Sequence, residues 1–206
     1  TMDAPEEILF DQNVMAADKG YFSIGNWEVS PNNQLIAWAE DTVGRRQYQL
    51  FIKDLSTGKT FADVVDNIEA SIIWADDNKT LFYIDKDPVT LLSKRVKTHV
   101  LGTDNKNDRL IYEEADDSFY MGISRTRSEQ YICISVESTV SSEQRYALAS
   151  DPTEFKVLTK RERDFEYSAD HLNGRWLIRT NWNAPNFKLM TVSESKNVGN
   201  RDAWQD

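Results

Sequence analysis

The chain is poor in the residues that staple, break or ligate. Among 206 residues there are one Cys, two His, five Pro and eight Gly. The lone Cys133 excludes an internal disulfide and suits a reducing compartment. No apolar run approaches the ~20 residues of a membrane-spanning helix. The opening TMDAPEEILF has neither a basic start nor a long apolar stretch, so it does not read as a signal peptide. A cytoplasmic location, away from membranes, is the expectation. Basic residues are outnumbered 34 to 24, and a net charge of −10 argues against nucleic acid, whose phosphates need a basic footprint. The same charge suits a cationic partner, and it also keeps a chain soluble.

Chemistry-bearing motifs are scarce as well. No glycine pair brackets a serine as G-x-S-x-G, and Ser124 after Gly122 is the nearest approach. Neither His99 nor His171 has a second His or a Cys at ligand spacing. TDNKND (103–108) lacks the Gly and distal Glu of a calcium loop. NKT (78–80) fits a glycosylation acceptor but reads as a turn. Cys133 reads as a small core hydrophobe. The expectation is no catalytic residue, no metal and no cofactor within this chain.

What the sequence does have is a repeat. SPNNQLIAWAED (30–41) returns 45 residues later as ADDNKTLFYID (75–85), with Asn33 on Asn78, Ile36 on Leu81 and Trp38 on Tyr83. RTRSEQYICIS (125–135) and ADHLNGRWLIR (169–179) continue the series. A period of about 40–50 residues built of strands is the mark of a β-propeller blade. The second copy supplies four strands, SIIWA (71–75), TLFYID (80–85), KRVKTHVL (94–101) and RLIYEE (109–114). The first ends on TFADVV (60–65), and the fourth runs into polar coil after KLMTVS (188–193), its last strand unaccounted for. Only residues 6–17 could hold a helical turn. The expected fold is all-β, a propeller fragment of about four four-stranded antiparallel blades at roughly 22–66, 70–115, 118–161 and 164–206. Trp27, Trp74 and Trp176 recur at blade positions and are expected to pack between blades.

In such blades the 2→3 connections and the inter-blade links share one face, and the 1→2 and 3→4 turns share the other. Residues assigned to the first face carry a net charge of −9, those of the second −2. This concentrates negative charge on one rim. Glu113, Glu114, Asp116, Asp117, Asp63, Asp66 and Glu69 are its candidate substrate-steering residues.

Five stretches carry a resemblance: 21–58, IIWADDNKTLFY (72–83), HVLGTDNKNDRLIYEE (99–114), TNWNAPNFKLMT (180–191) and RDAW (201–204). In order along the chain they resemble the propeller of the prolyl oligopeptidase family, in its oligopeptidase B branch. The resemblance implies a ring of seven blades, of which about four are here, covering an α/β-hydrolase domain with a Ser/Asp/His triad. No triad residue carries over onto this chain. It implies cleavage of short peptides after Arg or Lys at dibasic sites, with the propeller as gate and size filter. The partners implied are the chain's own hydrolase domain and short basic peptides. The fragment alone is expected to be inactive and to self-associate through open end blades. An independent protein-interaction propeller is the alternative, although the Gly-His and Trp-Asp marks of WD repeats are missing. A sugar- or metal-binding propeller enzyme is a third, lacking clustered His or paired inward carboxylates.

Overall fold

The structure, a computed structural model, describes residues 3–206. Fourteen strands follow one another: β1 (Ser23–Val29), β2 (Leu35–Asp41), β3 (Tyr48–Asp54), β4 (Val65–Trp74), β5 (Thr80–Lys86), β6 (Ser93–Val100), β7 (Arg109–Glu113), β8 (Tyr120–Arg125), β9 (Tyr131–Glu137), β10 (Ser142–Leu148), β11 (Asp151–Val157), β12 (Tyr167–Leu172), β13 (Arg175–Thr180) and β14 (Lys188–Ser193). All named pairings are antiparallel between chain neighbours, as radial blades require. A single helical turn, α1 (Gln12–Met15), precedes them, capped by the Asp11 carboxylate on the Asn13 and Val14 amides. None of the described helices is long and apolar enough to cross a membrane.

The repeat has a conformational basis. Each first-to-second-strand turn contains a residue in the left-handed region: Asn33 (φ 58°), Asn78 (58°), Glu129 (60°) and Asn173 (51°). In the first three, its N–H bonds back to the carbonyl three residues before, on Ser30, Ala75 and Thr126. Asn tolerates this conformation better than most residues, which is why Asn33 falls on Asn78 at the repeat shift. Glu129 is the exception.

Three apolar seams lie between successive blades in place of one core. The first joins Ala37, Leu50 and Ile52 to Ile72, Trp74 and Leu81. The second joins Ile73, Phe82 and Ile84 to Ile123, Ile132 and Ile134. The third joins Cys133 and Tyr131 to Tyr167, Trp176 and Ile178. Cross-blade hydrogen bonds repeat with the same period, Trp74 Nε1 donating to Glu28 O at 3.0 Å and Ser128 N to His171 O at 2.9 Å.

The fold departs from the sequence expectation at four places. TFADVV is not the fourth strand of the first blade. That strand begins at Val65 and continues into the first strand of the second blade as β4, fusing both blades into one seven-stranded sheet. Residues 66–71 contain no Gly or Pro to break it. A left-handed Asn67, its side chain bonded to Lys86 O and Gln47 Nε2, bends the strand instead. The last blade also regains a rudimentary edge, because Gln205 and Thr191 exchange backbone bonds of 2.8 and 2.6 Å. Trp204 anchors that tail, 6% exposed, with its indole donating to Val198 O. The N-terminal arm covers the outer side of the first blade: Phe10 meets Trp38 at 5.2 Å between ring centres, and Trp38 stacks on Phe51 at 5.4 Å. The arm thus lies against one of the two end faces. Finally, Trp27 is 53% exposed and is no inter-blade residue, unlike Trp74 and Trp176 at 2% each.

Candidate functional site

The acidic residues expected on the rim are mostly occupied. Glu114 is 3% exposed. It accepts from Tyr112 Oη at 2.6 Å and Asp116 N at 2.9 Å, and Arg161 Nη1 lies 3.0 Å away. Burial opposes its ionisation, but these donors prevail and hold its carboxyl below the usual glutamate range. Asp117 pairs with Lys94. Glu69 pairs with Lys86 at 2.9 Å and accepts from Ser93 Oγ at 2.8 Å. Asp66 accepts from Gln49 Nε2 at 2.6 Å. Asp116 is tied to the Ser118 amide and hydroxyl, which lower its pKa. Glu113 has only a distant cation, Arg95 Nη1 at 4.0 Å. A charge count over loops omits Lys94 and Arg95 because they belong to β6, yet both reach these carboxylates.

Asp63 does not join the rim. It lies in the 3→4 connection, on the opposite face, where Oδ1 meets His99 Nε2 at 3.1 Å and accepts from Gly102 N at 2.6 Å. Asp108 takes the other imidazole nitrogen at 2.9 Å and the Tyr83 hydroxyl at 2.8 Å. His99 is 1% exposed. Burial favours its neutral form, but the two carboxylates outweigh that and raise its pKa. The cluster ties the first blade's outer connection to the second blade.

A cavity of about 1040 Å³ opens on the face of the 1→2 and 3→4 turns. Val29, Pro31 and Leu148 give it apolar walls, and Glu28, Asp76, Glu129 and Glu194 bring four carboxylates to it. Arg125 is the cation within; its two terminal nitrogens are occupied, while its buried Nε has no aligned hydrogen bond. Nη1 donates to Trp74 O at 3.0 Å and Nη2 to Asp76 Oδ1 and Glu129 O at 2.6 Å each, while Nε lies 2.9 Å from Glu129 Oε2. Glu28 differs: among the described residues its carboxylate has no hydrogen bond and no ion pair. Burial, and then the nearby Glu129, raise its pKa, and Arg125 offsets only part of this.

Behind the cavity, His171 is wholly buried at the end of β12. Its Nδ1 meets Ser128 Oγ at 2.8 Å. Nε2 lies 2.9 Å from Glu194 Oε2, but off the line of a hydrogen bond, so it remains without an aligned partner. Ser, His and Glu in contact suggest acyl-transfer chemistry, but the details argue against it. Ser128 Oγ accepts the Gln130 amide at 3.3 Å and sits 3.0 Å from Thr126 Oγ1, which makes it a turn-stabilising hydroxyl. Ser124 lies in β8 with no histidine beside it. Cys133 is buried, and burial pushes its thiol up to about 12, an inert group. The described residues contain no group of three or more His, Cys, Asp or Glu able to hold a metal.

The signal that would have found the cavity is the repeat itself. Glu28 and Trp74 stand 46 residues apart, Asp76 and Arg125 49, Ser128 and His171 43, each about one blade period. Residues one period apart meet across a seam.

Comparison with known proteins places this architecture. The family described as prolyl oligopeptidase, N-terminal beta-propeller domain, matches residues 1–206. Dipeptidyl aminopeptidase BI of Pseudoxanthomonas mexicana is 55% identical over 98% of the chain and 28% of its own length. Protease 2 of Moraxella lacunata is 32% identical over 91% of the chain and 28% of its length. The solved oligopeptidase B of Leishmania major superposes with a TM-score of 0.88 at 25% identity, covering 93% of this chain and 28% of that one. The chain thus spans little more than a quarter of each of these relatives. It belongs to the prolyl oligopeptidase family, as part of the N-terminal β-propeller domain of its peptidases.

Proposed function

We propose that this chain is the propeller portion of a serine oligopeptidase that cleaves short peptides after Arg or Lys, at dibasic sites. The carrying observation is the unbroken match of residues 1–206 to a peptidase propeller family. The likeness to Protease 2 and to the oligopeptidase B fold supports the finer specificity, as does the net charge of −10. The chain supplies about four of seven blades, and the triad resides in a hydrolase domain beyond it. Radial blades leave an axis lined by β1, the second half of β4, β8 and β12. A wall of this kind admits extended peptides and turns away folded proteins, which is the physical content of a gate and size filter.

A second reading is favoured by the 55% identity to a protein named as a dipeptidyl aminopeptidase. On that reading the enzyme releases dipeptides from free amino termini. Assaying the full-length protein on paired peptides, free and N-acetylated, with Arg, Lys or Ala before the scissile bond, tests both. Cleavage of acetylated peptides after Arg and Lys supports the first. Cleavage only of free peptides, two residues in, supports the second. A serine-directed inhibitor should abolish either. Equal cleavage of a six-residue peptide and a folded protein would overturn the filter.

A further inference from the structure

We propose that the turn-face cavity is a binding site for a cationic peptide segment, one whose Lys or Arg head seats against Glu28. The site lies at the mouth formed by the ends of β1, β4 and β8, opposite the acidic rim, and it stands whether or not the enzyme cleaves after basic residues.

Four observations converge there. The cavity, about 1040 Å³, has room for a short peptide segment and combines apolar walls with a few polar groups, the composition of a ligand site. Four carboxylates face a single arginine, whose terminal nitrogens are taken by Trp74 O, Asp76 and Glu129 O and whose Nε lies 2.9 Å from the Glu129 carboxylate without an aligned hydrogen bond. Glu28 is half-buried and unpaired, and its own environment disfavours its charge, so an arriving ammonium or guanidinium relieves a real electrostatic cost. His171 does not line the cavity but lies wholly buried behind two residues that do, Ser128 and Glu194, and its Nε2 has no aligned hydrogen bond against Glu194. Glu129 adds a local cost that fits the same picture. It holds φ 60° where the other three blades place Asn, and it lines the cavity.

The chemistry selects the ligand class. An anion would meet the carboxylates, and a neutral apolar group would leave Glu28 desolvated without a partner. A long basic side chain satisfies both features, because its methylene stem lies on Val29, Pro31 and Leu148 while its head reaches Glu28.

The test uses the intact protein that carries this chain and a probe that no ordinary peptidase cuts, an all-D trilysine amide, with all-D triglutamine amide as the neutral control. Calorimetry at low salt reads affinity, and carbodiimide coupling followed by mass spectrometry reads location. The expected result is saturable binding of trilysine alone, weakened about tenfold or more by Glu28→Gln, the scale of a charge-assisted hydrogen bond. Coupling should map to Glu28, Glu129 or Glu194. The paired rim substitutions Glu113→Gln and Asp117→Asn should leave affinity within about twofold. Glu28→Gln removes a charge without changing shape, so loss of binding is not loss of fold, and its melting temperature checks this. Wild-type affinity in Glu28→Gln, equal binding of triglutamine, absence of binding, or coupling confined to the rim would each overturn the proposal. Failure of the cleavage assay on Arg and Lys peptides would leave this binding result as it stands.

Discussion

On the rim, Glu114 meets a tyrosine hydroxyl, an arginine and a backbone amide; on the turn face, Glu28 meets none of these. Both are glutamates on a strongly acidic chain, and both are at least half shielded from solvent. What differs is which strands bring bases to them. The start of β6 delivers Lys94 and Arg95 to the rim, and the link after β11 delivers Arg161. The end of β8 delivers one arginine to the cavity and then consumes it on backbone carbonyls and two other carboxylates. Net charge says how much negative charge a face has. Pairing says how much of it is available to a ligand.

The comparison breaks most visibly in stability. Arg161→Met strands the buried Glu114 without its cation. It should cost about 2–3 kcal/mol in chemical denaturation, below the full value for a buried pair because Arg161 is 31% exposed. Glu113→Gln, on the same rim but 54% exposed, should cost less than about 0.5 kcal/mol. If the two variants melt alike, the rim is not organised by Glu114.

The His99 strut gives a pH signature of the next size. Its folded pKa is raised above 6.5, so the imidazolium's contribution is complete below that value and is lost as pH rises through the higher folded one. Asp63 and Asp108 face it directly, with Tyr83 behind Asp108. His99→Gln should therefore cost about 2 kcal/mol at pH 6 and clearly less at pH 9. A cost independent of pH would show that packing alone holds this seam.

Smaller still is the effect of charge removal at the cavity. Because burial disfavours the ionised form of Glu28, Glu28→Gln should leave the melting temperature unchanged or slightly raised at neutral pH. A clear drop would mean that Glu28 already has a partner. Least of all, on the proposed function, neutralising Glu113, Asp116 and Asp117 in the full-length protein should lower kcat/KM for a dibasic peptide by about twofold or less, with a slight flattening of its salt dependence. A loss above tenfold would return the steering role to the rim.

The blade repeat was legible because its turns demand particular residues. Asn33 and Asn78 sit where the backbone is left-handed, and the apolar runs that follow alternate or bury as strands must. The fusion through β4 was not legible, since Asn67 bends the chain where a break was expected and nothing at residues 66–71 announces a bend. The tail was hidden for a similar reason: a single bridge at Gln205 and a buried Trp204 make an edge too short to show a strand pattern. The cavity was missed because Glu28 belongs to a strand and Glu194 to the last turn, so a sum over the other loops passed them by. Asp63 was misplaced because the first blade's fourth strand begins only at Val65, which leaves Asp63 in the connection before it.

The two glutamates also supply the most direct measurement. Carbon-detected NMR titration of side-chain carboxyls, with Glu28 and Glu114 assigned by substitution, reads each pKa in the folded protein. Glu28 should titrate above the ordinary glutamate value of 4.5, pushed up by burial and Glu129. Glu114 should titrate below it, because the Tyr112, Asp116 and Arg161 donors outweigh burial. Opposite displacements would establish that one face holds a carboxylate awaiting a cation and the other a carboxylate that has one. Equal values, or Glu28 below Glu114, would contradict the account.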